Sequence, residues 1–286
     1  MGLLFKLAAW IASLLTARQA YALSGWISRR LKQSKTAEVI DINLRTCMPQ
    51  LLEHRRERLV VERLHHMVYL FFEFAQLRFW SLDRLLAHVE VEGEDVLRES
   101  FDAERGILLL VPHFGNWELL SVYLGHHFTV SALYDPPKQG GLEAQIVQAR
   151  ERFAGRMFPI GVAGMRSVFK ELRGGGLVAV LPDQVPTFEG GEYVPFFGRP
   201  ALTMTLPRTL QERTACDVIF AAARRSVDSK QPRYCLSFTR LDDADLEIMN
   251  THIQQLAETF PEQYQWEYKR FRRPPEGGKQ NIYRRQ

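Results

Sequence analysis

The chain is short of cysteine and of long apolar runs, and each shortage excludes a class of protein. Its 286 residues include three cysteines, Cys47, Cys216 and Cys235, which stand far apart and form no C-x-x-C pair. A disulfide framework or a zinc site needs cysteines at short spacing, so these three indicate reduced core residues of a protein that faces the cytosol. The cleanest apolar run, residues 7–15, is well short of the roughly 20 residues that span a bilayer.

Features of exported and multidomain proteins are also missing. The N-terminus has no convincing cleavage site of a signal peptide, and no internal repeat or low-complexity linker divides the chain. Its 46% hydrophobic and 24% charged residues are ordinary for a globular protein with a full core. We therefore predict a membrane-anchor helix region over residues 1–35, a helical part over 36–85 that packs on the core, and an α/β domain over 86–286 with a basic tail.

The N-terminal region combines apolar and basic residues. Residues 3–15 carry Lys6 as their single charge, and Trp26 precedes the basic residues Arg29, Arg30 and Lys32. This order is typical of an interfacial anchor on the cytoplasmic face of a membrane. A marginally spanning helix and an ordinary core helix remain the alternatives.

Apolar periodicity predicts an α/β fold with a largely parallel, mixed sheet covered by helices. Residues 36–85 repeat apolar side chains at helical spacing, and apolar strands alternate with helices from about residue 86. Such alternation favours parallel strands, although the last two are close enough in sequence to be antiparallel. The predicted strands are 88–92, 107–112, 128–134, 177–182, 217–223 and 233–240, and the predicted helices are 94–103, 116–125, 142–154, 164–173, 203–213 and 244–259.

The most informative segment follows the apolar run 107–110, where His113 stands five positions before Glu118. Five steps of about 100° leave two helical side chains roughly 140° apart, so they can meet only if His113 lies in a turn and Glu118 on the next helix. Gly115 supplies the permissive backbone for such a turn. This geometry suits a general base held by a carboxylate, and a histidine that merely caps a helix is the alternative.

A second predicted strand end also carries reactive groups. Asp183 and Gln184 follow the apolar run 177–182. Ligands of open α/β sheets collect at the carboxyl ends of strands, so these residues and His113 are candidates for one site.

Four segments together resemble the bacterial lipid A biosynthesis late acyltransferases, a branch of the lysophospholipid acyltransferase superfamily. The resemblance extends from the N-terminal anchor to about residue 278. The segments are the H-x-x-x-x-E box at 113–118, the Tyr-Asp-Pro-Pro segment at 134–137 with Arg150 and Arg152, the aspartate loop at 182–198, and the signature that starts at Pro261.

This resemblance implies a glycerolipid-acyltransferase-like fold and an O-acyltransferase at the inner face of the inner membrane of a Gram-negative bacterium. The implied donor is an acyl chain on acyl carrier protein, and the implied acceptor is a hydroxyl of a lipid A precursor. His113 would take the proton from that hydroxyl while Glu118 fixes its tautomer, without an acyl-enzyme. No cofactor is expected.

Further roles rest on the same resemblance. Arg150 is the candidate donor to the oxyanion, with Arg152 as the alternative, and Asp183 is expected to orient that arginine or the substrate. Substrate-binding roles are assigned to Asn116, Arg152, Gln184 and two residues of the basic tail, Lys269 and Arg270, which suit a phosphate.

Other interpretations stay open. The same reaction could act on a lysophospholipid or an aminolipid, or the chain could be a non-catalytic protein that binds membranes. Metal-assisted ester hydrolysis is a third alternative, with His113, Glu118 and the pair His126 and His127 as ligands. No nucleic-acid partner is expected, because the basic residues cluster in one tail without a recognition fold.

Overall fold

The computed structural model describes residues 2–134, 155–228, 231–276 and 281–283. The helices are α1 (Gly2–Ser13), α2 (Ala17–Arg30), α3 (Lys35–Cys47), α4 (Glu53–Phe79), α5 (Leu82–Leu86), α6 (Glu94–Asp102), α7 (Trp117–His127), α8 (Val162–Arg173), α9 (Leu206–Thr214) and α10 (Leu246–Thr259). The strands are β1 (Val89–Glu92), β2 (Ile107–Leu110), β3 (Val130–Tyr134), β4 (Gly155–Pro159), β5 (Leu177–Val180), β6 (Gly191–Phe196), β7 (Arg199–Met204), β8 (Asp217–Asp228) and β9 (Gln231–Leu241).

The main sheet is mixed and mostly parallel, as predicted. Its strand order is β1-β9-β8-β2-β5-β3-β4, and β8 and β9 form its one antiparallel pair within the described chain. The central strand β2 is buried throughout, because both of its faces are covered. Leu108 and Leu110 point into one core cluster and Ile107 and Leu109 into the other, as the two-residue period of a strand requires.

Helices cover both faces of this sheet. One core cluster contains buried side chains of α3, α4, α8, α9 and α10, and the other contains those of α5, α6 and α7. Because β2 and β5 are parallel neighbours, their carboxyl ends lie side by side at the same end of the sheet.

The N-terminal helices pack against α4. Thr16 and Gln19 form a capping box at the start of α2, and the indole Nε1 of Trp80 donates to the carbonyl of Ser13. None of the described helices is both long and apolar enough to cross a membrane. The membrane anchor expected over residues 1–35 stays a prediction.

Two elements depart from the sequence prediction. Strand β4 extends the sheet at an edge that apolar periodicity did not indicate, and β6 pairs with β7 in a separate hairpin over 191–204. Pro195 and Pro200 lie in that hairpin and weaken its strand signal, since proline is confined to edge positions. The predicted helix 142–154 lies outside the described residues.

Candidate active site

His113 and Asp183 meet because their strands are parallel neighbours in equal register. Leu110 of β2 is paired with Val180 of β5, and each functional residue lies three positions further along. The Asp183 carboxylate accepts from the ring Nδ1 of His113 at 2.7 Å through Oδ1 and from its backbone N–H at 2.9 Å through Oδ2. One carboxylate therefore fixes both the ring and the main chain of the histidine.

The ionised state of Asp183 determines the tautomer of His113. Asp183 is 3% exposed. Burial by itself would raise the pKa of its carboxyl, but attraction to the His113 ring and the two hydrogen bonds from His113 lower it below its ordinary value. A carboxylate only accepts, so Nδ1 carries the hydrogen and Nε2 offers a lone pair. This is the form of histidine that can take a proton from a substrate.

The partner of His113 Nδ1 is thus Asp183, and the expectation that Glu118 fixes the tautomer is wrong. The expectation that Asp183 orients Arg150, Arg152 or the substrate stays a prediction, because both arginines lie outside the described residues. Glu118 lies on the first turn of α7 and accepts from the indole Nε1 of Trp117 at 3.2 Å. The Trp117 ring packs edge-on against the His113 ring, with centroids 5.1 Å apart. Trp117 therefore contacts both Glu118 and His113.

The turn that carries His113 is closed by strand β8 and by the segment after α10. Gly115 has a φ of +58°, and a Cβ there would lie 1.8 Å from the carbonyl oxygen of Ala223. Its N–H donates to the carbonyl of Gln263, and the N–H of Gln265 donates to the carbonyl of His113. The position therefore requires glycine both for its backbone angle and for the close approach of β8.

An apolar cavity of about 70 Å³ borders Glu118 and Trp117. Its remaining walls are mainly Leu, Val, Ala and Met side chains of β2–β5 and α7. Such a lining suits a hydrocarbon chain, since a polar ligand would be desolvated there without partners.

Gln184 lies on the open side of His113. Its Nε2 is 3.2 Å from His113 Nε2 and 3.3 Å from the side-chain oxygen of Gln265. This residue was predicted to bind substrate, and the structure places its amide against the nitrogen that would accept the proton.

Asn116 borders a different cavity from the one beside Glu118. It is buried, and it lines a space of about 30 Å³ together with Gln76 and Tyr234. Its expected role in positioning substrate gains no support from this placement.

Arg270 was expected to bind phosphate, and that assignment is wrong. The side chain is buried and donates to the carbonyl of Leu202 and the hydroxyl of Thr203, both at 2.7 Å. Burial lowers the pKa of this guanidinium, and its charge helps to lower the pKa of Asp183. Arg270 therefore stabilises the site from inside the protein, whereas Lys269 is exposed beside the ring of Tyr283.

The two predicted arginines of the oxyanion site, Arg150 and Arg152, lie outside the described residues. His126 and His127 lie at the end of α7, away from the turn. Among the residues that the structure describes, no group of three His, Cys, Asp or Glu side chains could hold a metal ion.

A buried polar cluster near the turn was not predicted from the sequence. Arg225 donates through Nε to the Glu73 carboxylate at 2.7 Å, and the Tyr234 hydroxyl donates to the same oxygen at 2.8 Å. Gln263 joins this cluster to the site, because its side chain bonds both the N–H and the carbonyl of Arg225. The available signal was Glu73 itself, a charge inside the aromatic stretch 69–75.

Comparison with known proteins places the chain in a family. Residues 4–273 match the family described as bacterial lipid A biosynthesis acyltransferase. The chain belongs to this family. The match includes the turn at His113 and the aspartate loop, and it extends through the segment after α10 that closes the turn.

Individual relatives cover most of the chain. A lipid A biosynthesis palmitoleoyltransferase from Escherichia coli (strain K12) is 26% identical over 82% of this chain and 78% of its own length. A lipid A biosynthesis lauroyltransferase from the same organism is 26% identical over 85% and 81%. A lipid A biosynthesis acyltransferase from Haemophilus influenzae is 27% identical over 91% and 85%. The first two names specify different acyl chains at equal identity, so identity favours neither chain.

Proposed function

We propose that this protein transfers a fatty acyl chain from acyl carrier protein to a hydroxyl of a lipid A precursor. Family membership supports the reaction class and the acceptor. The observation that carries the chemistry is the His113–Asp183 pair, which presents a lone pair at the carboxyl end of the sheet. The apolar cavity beside Trp117 and Glu118 supports a hydrocarbon substrate.

In the proposed reaction, His113 Nε2 removes the proton from the acceptor hydroxyl as its oxygen attacks the thioester carbonyl carbon. The tetrahedral intermediate then collapses, the carbon–sulfur bond breaks, and the proton passes from His113 to the departing thiolate. Asp183 holds Nδ1–H in place and stabilises the imidazolium. No acyl-enzyme is needed, and all three cysteines are buried.

The remaining assignments belong to the same proposal. Arg150, or Arg152 in its place, stabilises the oxyanion, and Lys269 contacts a phosphate of the acceptor. Glu118 holds Trp117 against the His113 ring and adds negative charge near the imidazolium.

We further propose that α1 and α2 anchor the protein at the cytoplasmic face of the inner membrane without spanning it. Apolar side chains that a soluble surface rarely exposes together protrude from these helices and from the turn between them: Leu7, Trp10, Ile11, Leu14, Leu23 and Trp26. Arg30 lies over the Trp26 ring at 3.3 Å, which places a cation at the level where an interfacial helix meets lipid headgroups.

Mass spectrometry of lipid A tests the proposed reaction and acceptor together. Cells that lack the gene are complemented with wild type, His113→Ala or the matched control His252→Ala on α10. We expect wild type and the control to add the mass of one acyl chain, and His113→Ala to add none. Identical lipid A profiles with and without the wild-type gene would reject the acceptor and direct the search to other lipids.

A further inference from the structure

We propose that Gln184 is a displaceable cap on the proton-accepting nitrogen of His113, and that the acceptor hydroxyl must replace it. This inference deepens the proposed function and rests on it for the identity of the hydroxyl. The cap itself is a property of the free protein.

With His113 neutral and its Nδ1–H bonded to Asp183, the hydrogen bonds around Gln184 assign the orientation of its amide. His113 Nδ1–H donates to Asp183, so Nε2 has a lone pair that needs a donor. The Gln184 amide nitrogen lies 3.2 Å from it and 3.3 Å from the Gln265 Oε1 acceptor. Its two hydrogens therefore point to two acceptors, and the cap is held from the side by Gln265.

A substrate hydroxyl cannot share this position. A general base must lie within about 2.6–3.2 Å of the oxygen that it deprotonates, and Nε2 has a single lone pair in the plane of the ring. The Gln184 amide nitrogen lies within hydrogen-bond distance of that lone pair, at 3.2 Å from Nε2. Deprotonation of the acceptor thus requires the amide to leave first.

Hydrogen bonds hold the residues on both sides of Gln184, which makes rotation of its side chain the simplest route of displacement. Asp183 is held by His113, and the Val185 N–H donates to the Tyr268 hydroxyl at 2.8 Å. The Val185 carbonyl accepts from Arg272 at 3.3 Å. Because Asp183 and Val185 are both hydrogen-bonded, the Gln184 side chain can change its hydrogen-bond partners without movement of the loop.

The cap has a chemical consequence. An uncapped His113 could deprotonate water, whose oxygen would bond to the thioester carbonyl carbon while the carbon–sulfur bond breaks and the proton passes to the thiolate. The products would be a free fatty acid and the thiol of the carrier. Gln184 suppresses this hydrolysis until an acceptor with more binding contacts than water displaces the amide.

The first test needs no substrate. Diethyl pyrocarbonate acylates an imidazole lone pair, whose nitrogen bonds to a carbonyl carbon as ethyl carbonate leaves. Peptide mass mapping compares the rate at His113 in wild type and Gln184→Ala, with exposed His54 as the internal standard. We expect the variant to react about 2- to 12-fold faster at His113, the range that one net hydrogen bond spans. Equal rates in the two proteins would overturn the cap.

The second test uses an acyl-carrier-protein thioester with and without the lipid A precursor. Gln184→Ala should hydrolyse the thioester about 2- to 12-fold faster without acceptor and show a lower KM for the acceptor. The exposed variant Gln255→Ala should match wild type in both. If Gln184→Ala loses hydrolysis and transfer together, its amide is needed in the transition state and the cap is wrong.

The two tests separate this inference from the proposed function. Faster modification of His113 without any acylated lipid product in wild type would support the cap and reject the function. Normal transfer with unchanged modification, hydrolysis and KM would reject the cap alone.

Discussion

Two acid–base pairs lie near the turn at Gly115, and their difference in burial shows what makes one of them reactive. His113 and Asp183 are 13% and 3% exposed, whereas Arg225 and Glu73 are 0% and 1% exposed. Glu73 accepts from Arg225 and Tyr234, and the Arg225 Nη1 lies 3.4 Å from His66. The enclosed pair is bonded to other buried groups, whereas Nε2 of His113 faces the partly exposed Gln184, the side chain that we propose the acceptor displaces.

Gln263 connects the Arg225–Glu73 pair to the turn that carries His113. Gln263 bonds the main chain of Arg225 with its side chain and accepts from the Gly115 N–H with its carbonyl. Burial lowers the pKa of the nearby His66 well below its ordinary value, and the positive charges of Arg225 and Arg63 act in the same direction. His66 is therefore neutral at physiological pH and can accept from Arg225.

Replacing His113 should have the largest effect on the transfer rate and little effect on stability. We expect His113→Ala to lower transfer by at least about 10²- to 10⁴-fold, the usual contribution of a general base. Thermal unfolding should change little, because Asp183 keeps the charge of Arg270 nearby. A collapse of the unfolding midpoint would instead assign His113 a structural role.

Breaking the Arg225–Glu73 pair should instead lower the stability of the folded protein. Arg225→Met leaves the Glu73 charge buried without its cation, so we expect a loss of about 3–5 kcal/mol in the free energy of unfolding. Adding Glu73→Leu should recover part of that loss, because it removes the uncompensated charge. Denaturant unfolding of the single and double variants measures both values, and a double variant no more stable than Arg225→Met would contradict this account.

Glu118 offers a smaller test of the same comparison. Glu118→Gln keeps an acceptor for the Trp117 indole but removes a negative charge near the imidazolium. We expect a loss of about 10- to 100-fold in transfer, equivalent to about 1.4–2.7 kcal/mol in the barrier. If Glu118→Gln lowered the transfer rate more than Asp183→Asn does, Glu118 and not Asp183 would be the residue that fixes the His113 tautomer.

The smallest effect on turnover is expected at the proposed membrane surface. Ile11→Glu with Leu14→Glu should reduce sedimentation with anionic vesicles, while turnover of detergent-dispersed substrate stays near that of wild type. Ile160→Glu with Val162→Glu places the same two charges on exposed apolar residues elsewhere and should leave vesicle binding intact. Equal sedimentation of all three proteins would reject α1 as the anchor.

Local sequence predicted the strand ends but not their partners. The apolar runs before His113 and Asp183 indicated buried strands, and a ligand site at their carboxyl ends followed from that fold class. The pairing of His113 with Asp183 depends on β5 lying between β2 and β3, which the order along the chain does not reveal. Glu118 is closer to His113 in sequence than Asp183 is, so sequence proximity alone predicted the wrong carboxylate as the partner of the His113 ring.

The sequence also did not predict which charged side chains are buried. Arg270 belongs to a basic run typical of a solvated tail, but the tail folds back and places this side chain against β7. Glu73 and Arg225 are 152 positions apart, and neither has a local pattern that indicates the other. Such contacts follow from the packing of α4 on the sheet, which periodicity alone does not fix.

The most direct test of the central claim is the transfer rate of purified Asp183→Asn with saturating thioester and lipid A precursor. Asparagine keeps the size of the side chain, but its amide group can donate to Nδ1 and favour the tautomer that lacks a lone pair on Nε2. We predict a fall of about 10³- to 10⁴-fold, close to that of His113→Ala, in a protein that remains folded by circular dichroism. A folded Asp183→Asn variant within tenfold of the wild-type rate would contradict the assignment of His113 and Asp183 as the reacting pair.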